Sequence, residues 1–186
     1  MVIYAMLLYQ DMLYTGKGDS GTTKVFGCNL RLPKYALQVE ALGDLDELNC
    51  QIGLCAAHAH KRDPALESIL RVIQEHLFCI QACVAGAQKE LPEKALSVLE
   101  EFITDAEREL PSLHSFIVPG ATVLSGALDV ARAVARRTER RVAEFERSNP
   151  ELPVLLPYLN RLSSALFAAA RLAALRSKVV EHAPRY

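Results

Sequence analysis

From Val39 onward, apolar residues recur at three- and four-residue steps, and prolines cut that pattern into segments of helical length. Val39, Leu42, Leu45, Leu48, Ile52 and Cys55 line one face of a helix expected over Gln38–His60. Asp63-Pro64 breaks it and starts a second, carrying Leu66, Ile69, Leu70, Ile73, Leu77, Ile80 and Val84. Leu91-Pro92 opens a third, amphipathic and acidic, that reaches about Leu110. After the loop "PSLHSFIVPGAT" a fourth is expected from about Thr122 to Ser148, and "NPELP" separates it from a fifth spanning about Val154 to Val180. Such stripes must be buried against one another. The expected fold is all-α, a five-helix bundle of the up-and-down, ferritin-like type, with a Gly-rich loop at its N-terminal side.

The 186 residues suit one domain. It is expected to divide into an extension (1–13), a nucleotide-type loop region (14–36) and the bundle (38–180). Lys and Arg number 21 against 22 Asp and Glu, so no global field draws nucleic acid or an anionic membrane. Any anion site must be a local cluster. The start "MVIYAMLLYQDM" lacks a basic segment and a small-residue cleavage site, and no run reaches membrane-spanning length. A cytoplasmic protein is expected. Five cysteines in separated, mostly apolar contexts read as free thiols in a reducing compartment. Cys79 and Cys83 are read as small buried hydrophobes rather than metal ligands.

The stretch "YTGKGDSGTTKVFG" contains G-x-G-x-x-G at Gly16, Gly18 and Gly21. A dinucleotide-binding turn needs a helix opening at its last glycine. Here Thr22, Thr23, Lys24, Val25 and Phe26 follow, and β-branched residues favour an extended segment. Lys17 lies inside the glycines and no G-K-[ST] closes the motif, so it is not a Walker A loop either. Its composition still suits a polyphosphate. Glycines allow close backbone approach, Thr15, Ser20, Thr22 and Thr23 offer hydroxyls, and Lys17 and Lys24 add charge. Asp19 fits as a turn cap or beside a divalent ion. A plain flexible loop remains the alternative on composition alone.

The second informative stretch is "ALDVARAVARRTERRV". At about 100° per residue, Arg132, Arg136 and Glu139 cluster beside the apolar stripe Leu124, Leu128, Ala131, Ala135 and Val142. Arg137 and Arg141 point nearly opposite that stripe, as solvated or intersubunit residues would. Guanidinium groups at a core edge need carboxylates or phosphates. A surface ion-pair network and an anion site both fit.

Four blocks in order, "YTGKGDSGTT", "VEALGDLDELN", "FIVPGA…GALDVARAVARRTERRV" and "YLNRLSSALFAAAR", resemble the PduO-type ATP:corrinoid adenosyltransferases. The similarity runs from Tyr14 to about Arg176. The resemblance implies a homotrimer holding ATP between subunits, and transfer of the 5′-deoxyadenosyl group of ATP to the cobalt of cob(I)alamin. It implies that Thr15, Gly16, Lys17, Gly18, Asp19, Ser20, Gly21, Thr22 and Thr23 wrap the triphosphate, with Lys24 and Lys34 adding charge. Arg136, Arg137, Glu139, Arg140 and Asn160 would belong to the ATP site, and Arg132 would pair with Asp46 across the interface. Phe116 would help remove the lower axial ligand of the corrin; without the resemblance it reads as an aromatic plug of the bundle end. Catalytic roles would thus fall on Arg132, Arg136, Glu139, Phe116 and Asp46. Mg²⁺ would arrive on ATP without dedicated protein ligands, and a corrin reductase and an adenosylcobalamin-dependent enzyme are implied partners. Ala121, Asp129, Ser164 and Leu42 depart from the family's usual residues. Ala121, Asp129 and Ser164 leave open an ATP sensor or cobalamin escort on the same bundle.

Overall fold

The computed structural model describes residues 14–26, 30–150 and 155–186. A two-stranded antiparallel hairpin, β1 (Thr22–Lys24) and β2 (Arg31–Pro33), precedes five helices. These are α1 (Leu37–Ala59), α2 (Pro64–Val84), α3 (Ala95–Glu109), α4 (Val123–Arg147) and α5 (Leu156–Arg176). The extended segment expected after the Gly-rich loop is β1, with Thr22, Thr23 and Lys24 facing Pro33, Leu32 and Arg31.

Local side-chain caps fix the starts of α2 and α4. The Asp63 side chain accepts from Leu66 N at 3.0 Å, with Pro64 at the first position of α2. Thr122 and Ser125 form a reciprocal capping box at the start of α4. Two ends differ from expectation. α3 begins at Ala95 rather than beside Pro92, and α5 ends at Arg176 rather than Val180. At the latter, Lys178 adopts φ 56° while Lys178 N bonds Leu175 O (2.9 Å) and Val179 N bonds Ala174 O (3.1 Å). This is a Schellman-type stop, hidden in the sequence because a lysine stands where glycine is usual.

Cross-helix pairs set the directions. Arg141 pairs with Glu40 and Arg137 with Glu47, so α1 and α4 are antiparallel. Glu146 meets Leu155 and Glu139 meets Asn160, which makes α4 and α5 antiparallel too. Arg161–Glu100 and Arg176–Glu109 run α3 alongside α5 in the same sense. The result alternates up and down along the chain. The hairpin therefore sits where α1 begins, and the loop bearing Phe116 sits at the opposite end, before α4.

The core lies on the faces that periodicity marks. Leu45, Leu48 and Ile52 of α1, Leu128, Ala131 and Ala135 of α4, and Leu159, Leu162 and Leu166 of α5 are all buried. The hairpin closes one end through Val25, buried, and Leu32, packed on the same cluster. Gly53 lets Gln74 lie across α1 and donate to Asn49 O at 3.2 Å; a Cβ there would approach Gln74 Nε2 to 2.8 Å. Cys50, Cys55, Cys79 and Cys83 are free thiols, and Cys28 lies outside the described residues. Burial pushes the Cys55 thiol up to about 12, so it stays protonated. No described helix is long and apolar enough to cross a membrane.

One polar pair interrupts the core: His76 Nδ1 lies 3.1 Å from Tyr158 OH, the rings edge to face. Desolvation holds His76 below its ordinary value of 6.5. The unfolded chain then binds a proton that the folded one refuses, so stability rises with pH across that window. The melting temperature should accordingly fall between pH 7.5 and pH 5.5. In His76→Gln that pH slope should shrink. Separately, Leu128→Ala should remove about 2–5 kcal/mol of stability in chemical denaturation, because Leu128 is fully buried in the core.

Candidate active site

The Gly-rich loop is built from two successive tight turns. Asp19 N bonds Gly16 O and Gly21 N bonds Gly18 O, each at 3.1 Å. Gly16 (φ 64°) and Gly21 (φ 78°) occupy the left-handed region that makes this folding possible. Lys17 N reaches Thr15 Oγ1 at 3.4 Å, Ser20 Oγ lies 3.3 Å from Thr22 Oγ1, and Lys34 N bonds Gly21 O at 2.9 Å. Lys34 Nζ would be 3.4 Å from a Cβ on Gly18. Thr15 to Lys24 and Lys34 are thus gathered in one hydrogen-bonded unit. A strand, not a helix, follows the glycines, in keeping with the exclusion of a dinucleotide-binding turn.

A second group lies on the seam of α4 and α5. Asn160 Nδ2 donates to Glu139 Oε1 at 2.9 Å, and Arg140 donates to the Arg136 carbonyl at 2.8 Å. The Arg136 side chain is exposed and, among the described residues, has no carboxylate partner. One turn earlier, Arg132 lies with its guanidinium 6.0 Å from the ring centre of Phe167. Its Nε is 3.5 Å from Asp129 Oδ1 but lacks hydrogen-bond geometry, so this buried N–H is left unsatisfied. An arginine in that state is prepared for a further anionic or carbonyl partner.

Arg137 stands apart. It pairs with Asp44 at 3.4 Å and with Glu47, while Arg141 reaches Glu40 and Asp44 at 3.9 Å and Glu144 at 3.5 Å. Both side chains stay partly exposed to solvent, as expected, and both are also paired within the chain. A single-helix wheel cannot show that α1 presents three acids to that flank. Asp46, on α1, is exposed and has no ion pair among the described residues.

Phe116 is 78% exposed, which overturns its reading as an apolar plug. It borders an open groove of about 590 Å³ with Leu113, His114, Ala183 and Tyr186. The C-terminal segment straps this loop. Val118 N bonds His182 O at 2.8 Å, and buried Arg171 holds both Glu181 (3.1 Å) and the Pro111 carbonyl (3.1 Å). Asp129 adds a third tie, accepting from Gly120 N at 3.2 Å. None of these straps is readable from local pattern. Phe167 is: it falls one helical face along from Asn160 on α5.

Over residues 13–173 the chain matches the family model described as cobalamin adenosyltransferase. The chain belongs to the cobalamin adenosyltransferase family. It is 39% identical over 166 residues to the corrinoid adenosyltransferase PduO of Salmonella typhimurium, covering 86% of this chain and 48% of that one. It thus spans about half of that relative's length. To the corrinoid adenosyltransferase of Bacillus subtilis it is 38% identical, covering 90% and 89% of the two chains. A variant PduO-type ATP:corrinoid adenosyltransferase from Lactobacillus reuteri, complexed with cobalamin and ATP, superposes with a TM-score of 0.85 at 31% identity. That match covers 94% of this chain and all of the other. A second variant of the Lactobacillus reuteri enzyme, complexed with ATP, gives a TM-score of 0.83 at 33% identity over 92% and 99% of the two chains.

In this adenosyltransferase-family chain the Asp129 tie is separable from the rest of the fold. Asp129→Ala should speed amide exchange at Gly120 about tenfold, the equivalent of one hydrogen bond to a charged acceptor. Exchange at the buried residues of α4 should stay unchanged, as read by hydrogen–deuterium exchange.

Proposed function

We propose that the protein transfers the 5′-deoxyadenosyl group of ATP to the cobalt of cob(I)alamin or a related corrinoid, releasing triphosphate. The observation that carries this reading is a loop of tight turns rich in donors together with exposed Arg136, which has no carboxylate partner among the described residues, on a chain similar over nearly its whole length to corrinoid adenosyltransferases. In the reaction, the cobalt electron pair forms a bond to C5′ while the C5′–O bond breaks, and its electrons leave on the triphosphate. The corrinoid is the nucleophile, so no activated Ser, Cys or His is required. The protein must position two large substrates and stabilise charge on the departing phosphates.

The loop Thr15–Thr23, with Lys24 and Lys34, is assigned to the triphosphate. Arg136, Glu139, Arg140 and Asn160 complete the nucleotide site, with Asn160 orienting the Glu139 carboxylate. Arg137 would join them by exchanging its bonds to Asp44 and Glu47 for the nucleotide. Among the described residues no three His, Cys, Asp or Glu side chains are placed to hold a metal ion. Mg²⁺ fits as a passenger on the triphosphate, adding charge where the leaving group develops.

Geometry favours a shared site. The loop lies where α1 begins and Phe116 lies at the far end, and a 23-residue helix at about 1.5 Å per residue is roughly 35 Å long. Such a separation favours a site to which two copies contribute. A homotrimer in which each site joins two subunits provides one, and lets exposed Asp46 of one copy meet Arg132 of the next. Phe116, exposed above its groove, is assigned to the lower face of the corrin.

The test is direct. Protein, ATP, Mg²⁺ and chemically reduced cobalamin should give light-sensitive adenosylcobalamin and triphosphate one to one, followed by visible absorbance. Arg136→Ala should lower turnover at least about 10²-fold, the scale of losing one transition-state donor, with the oligomer intact by light scattering. ATP binding without product would point instead to a sensor or escort.

A further inference from the structure

No motif in the sequence singles out Arg31, yet its guanidinium makes three hydrogen bonds to the Gly-rich loop. It opens β2, opposite Lys24. Although exposed, its side chain folds back over the loop instead of extending into solvent. Nε donates to Thr22 Oγ1 at 2.8 Å, and one terminal nitrogen donates to the Thr22 carbonyl at 2.7 Å and to the Lys17 carbonyl. The planar guanidinium suits this, since it offers several donors in fixed directions.

Three consequences follow for an anion at the loop. The peptide is planar and trans, so turning the Lys17 carbonyl toward Arg31 turns the Gly18 N–H to the opposite side. The Thr22 hydroxyl, already accepting from Arg31, keeps its single proton for Ser20 Oγ at 3.3 Å or for an anionic oxygen. The guanidinium charge also stays beside Lys17, Lys24 and Lys34 in a chain whose net charge is only −1. Without such a clamp, a loop turning on left-handed Gly16 and Gly21 has many other conformations available.

We propose that Arg31 is a positioning residue for the nucleotide's triphosphate: it clamps the loop in its anion-receiving shape before ATP arrives. This rests on the assignment of the loop to triphosphate given above. Arg31→Lys keeps the charge and loses the fork, whereas Arg31→Gln loses both.

The experiment compares wild type, Arg31→Lys and Arg31→Gln. Both variants should raise KM for ATP about tenfold or more, leave KM for the corrinoid within twofold, and bind inorganic tripolyphosphate correspondingly more weakly by calorimetry. Hydrogen–deuterium exchange over residues 16–22, without nucleotide, should be faster in both while the helices are unchanged. Thr22→Val, which removes one clamp acceptor, should give a smaller change in the same direction and add little to Arg31→Gln. A wild-type-like Arg31→Lys would overturn the clamp in favour of simple charge. Unchanged loop exchange in Arg31→Gln would overturn it too, as would equal rises in KM for both substrates. Wild type that neither binds tripolyphosphate nor turns over would instead defeat the assignment of the loop, and loop exchange would still decide the clamp.

Discussion

The antiparallel seam between α1 and α4 is the constraint on which the rest of the molecule depends. Leu45, Leu48 and Ile52 on α1 and Leu128, Ala131 and Ala135 on α4 are fully buried there, and the Thr138 hydroxyl donates to Asp44 O at 3.1 Å. Along its flank Asp44 and Glu47 hold Arg137, and Glu40 and Asp44 approach Arg141. These ion pairs are half-exposed and individually weak. Their value is registration: they fix α4 about its own axis, so Arg132, Arg136 and Glu139 emerge on the opposite flank, toward α5. A slip of the apolar stripe would turn that face away from Asn160 and Phe167.

The same alternation of helix direction separates the two loops that matter. A bundle built from short connections must place consecutive turns at opposite ends. The hairpin loop and the Phe116 loop therefore lie a helix length apart, and the arginine face lies between them. Each has its own support: Arg31 and Lys34 for the first, Asp129, Arg171 and the C-terminal segment for the second. Rigid helices thus present three chemically different patches at separate places on the bundle.

Much of the fold is legible in the sequence because helical periodicity, Asp63-Pro64 and Thr122 are local signals with local causes. The extended segment after the glycines is legible for the same reason, since β-branched residues resist a helix start. The stop of α5 is not, because Lys178 carries a conformation that sequence associates with glycine. The sorting of the arginines is legible only in part. A wheel separates Arg132 and Arg136 from Arg137 and Arg141, yet it cannot supply Glu40, Asp44 and Glu47 from another helix.

By itself, then, the sequence determines the five helices of the described residues, the faces they bury, and a glycine loop followed by an extended segment rather than the helix of a dinucleotide turn. Those properties follow from spacing along one chain segment. Only the tertiary structure decides which partners the polar groups take: Arg31 on the Lys17 and Thr22 carbonyls, Asp129 on Gly120, Arg171 on Glu181, and Phe116 left in solvent. The physical reason is the range of the interactions. Apolar burial is set by period within a helix, whereas a hydrogen bond or ion pair depends on residues far apart in the chain meeting within about 3 Å.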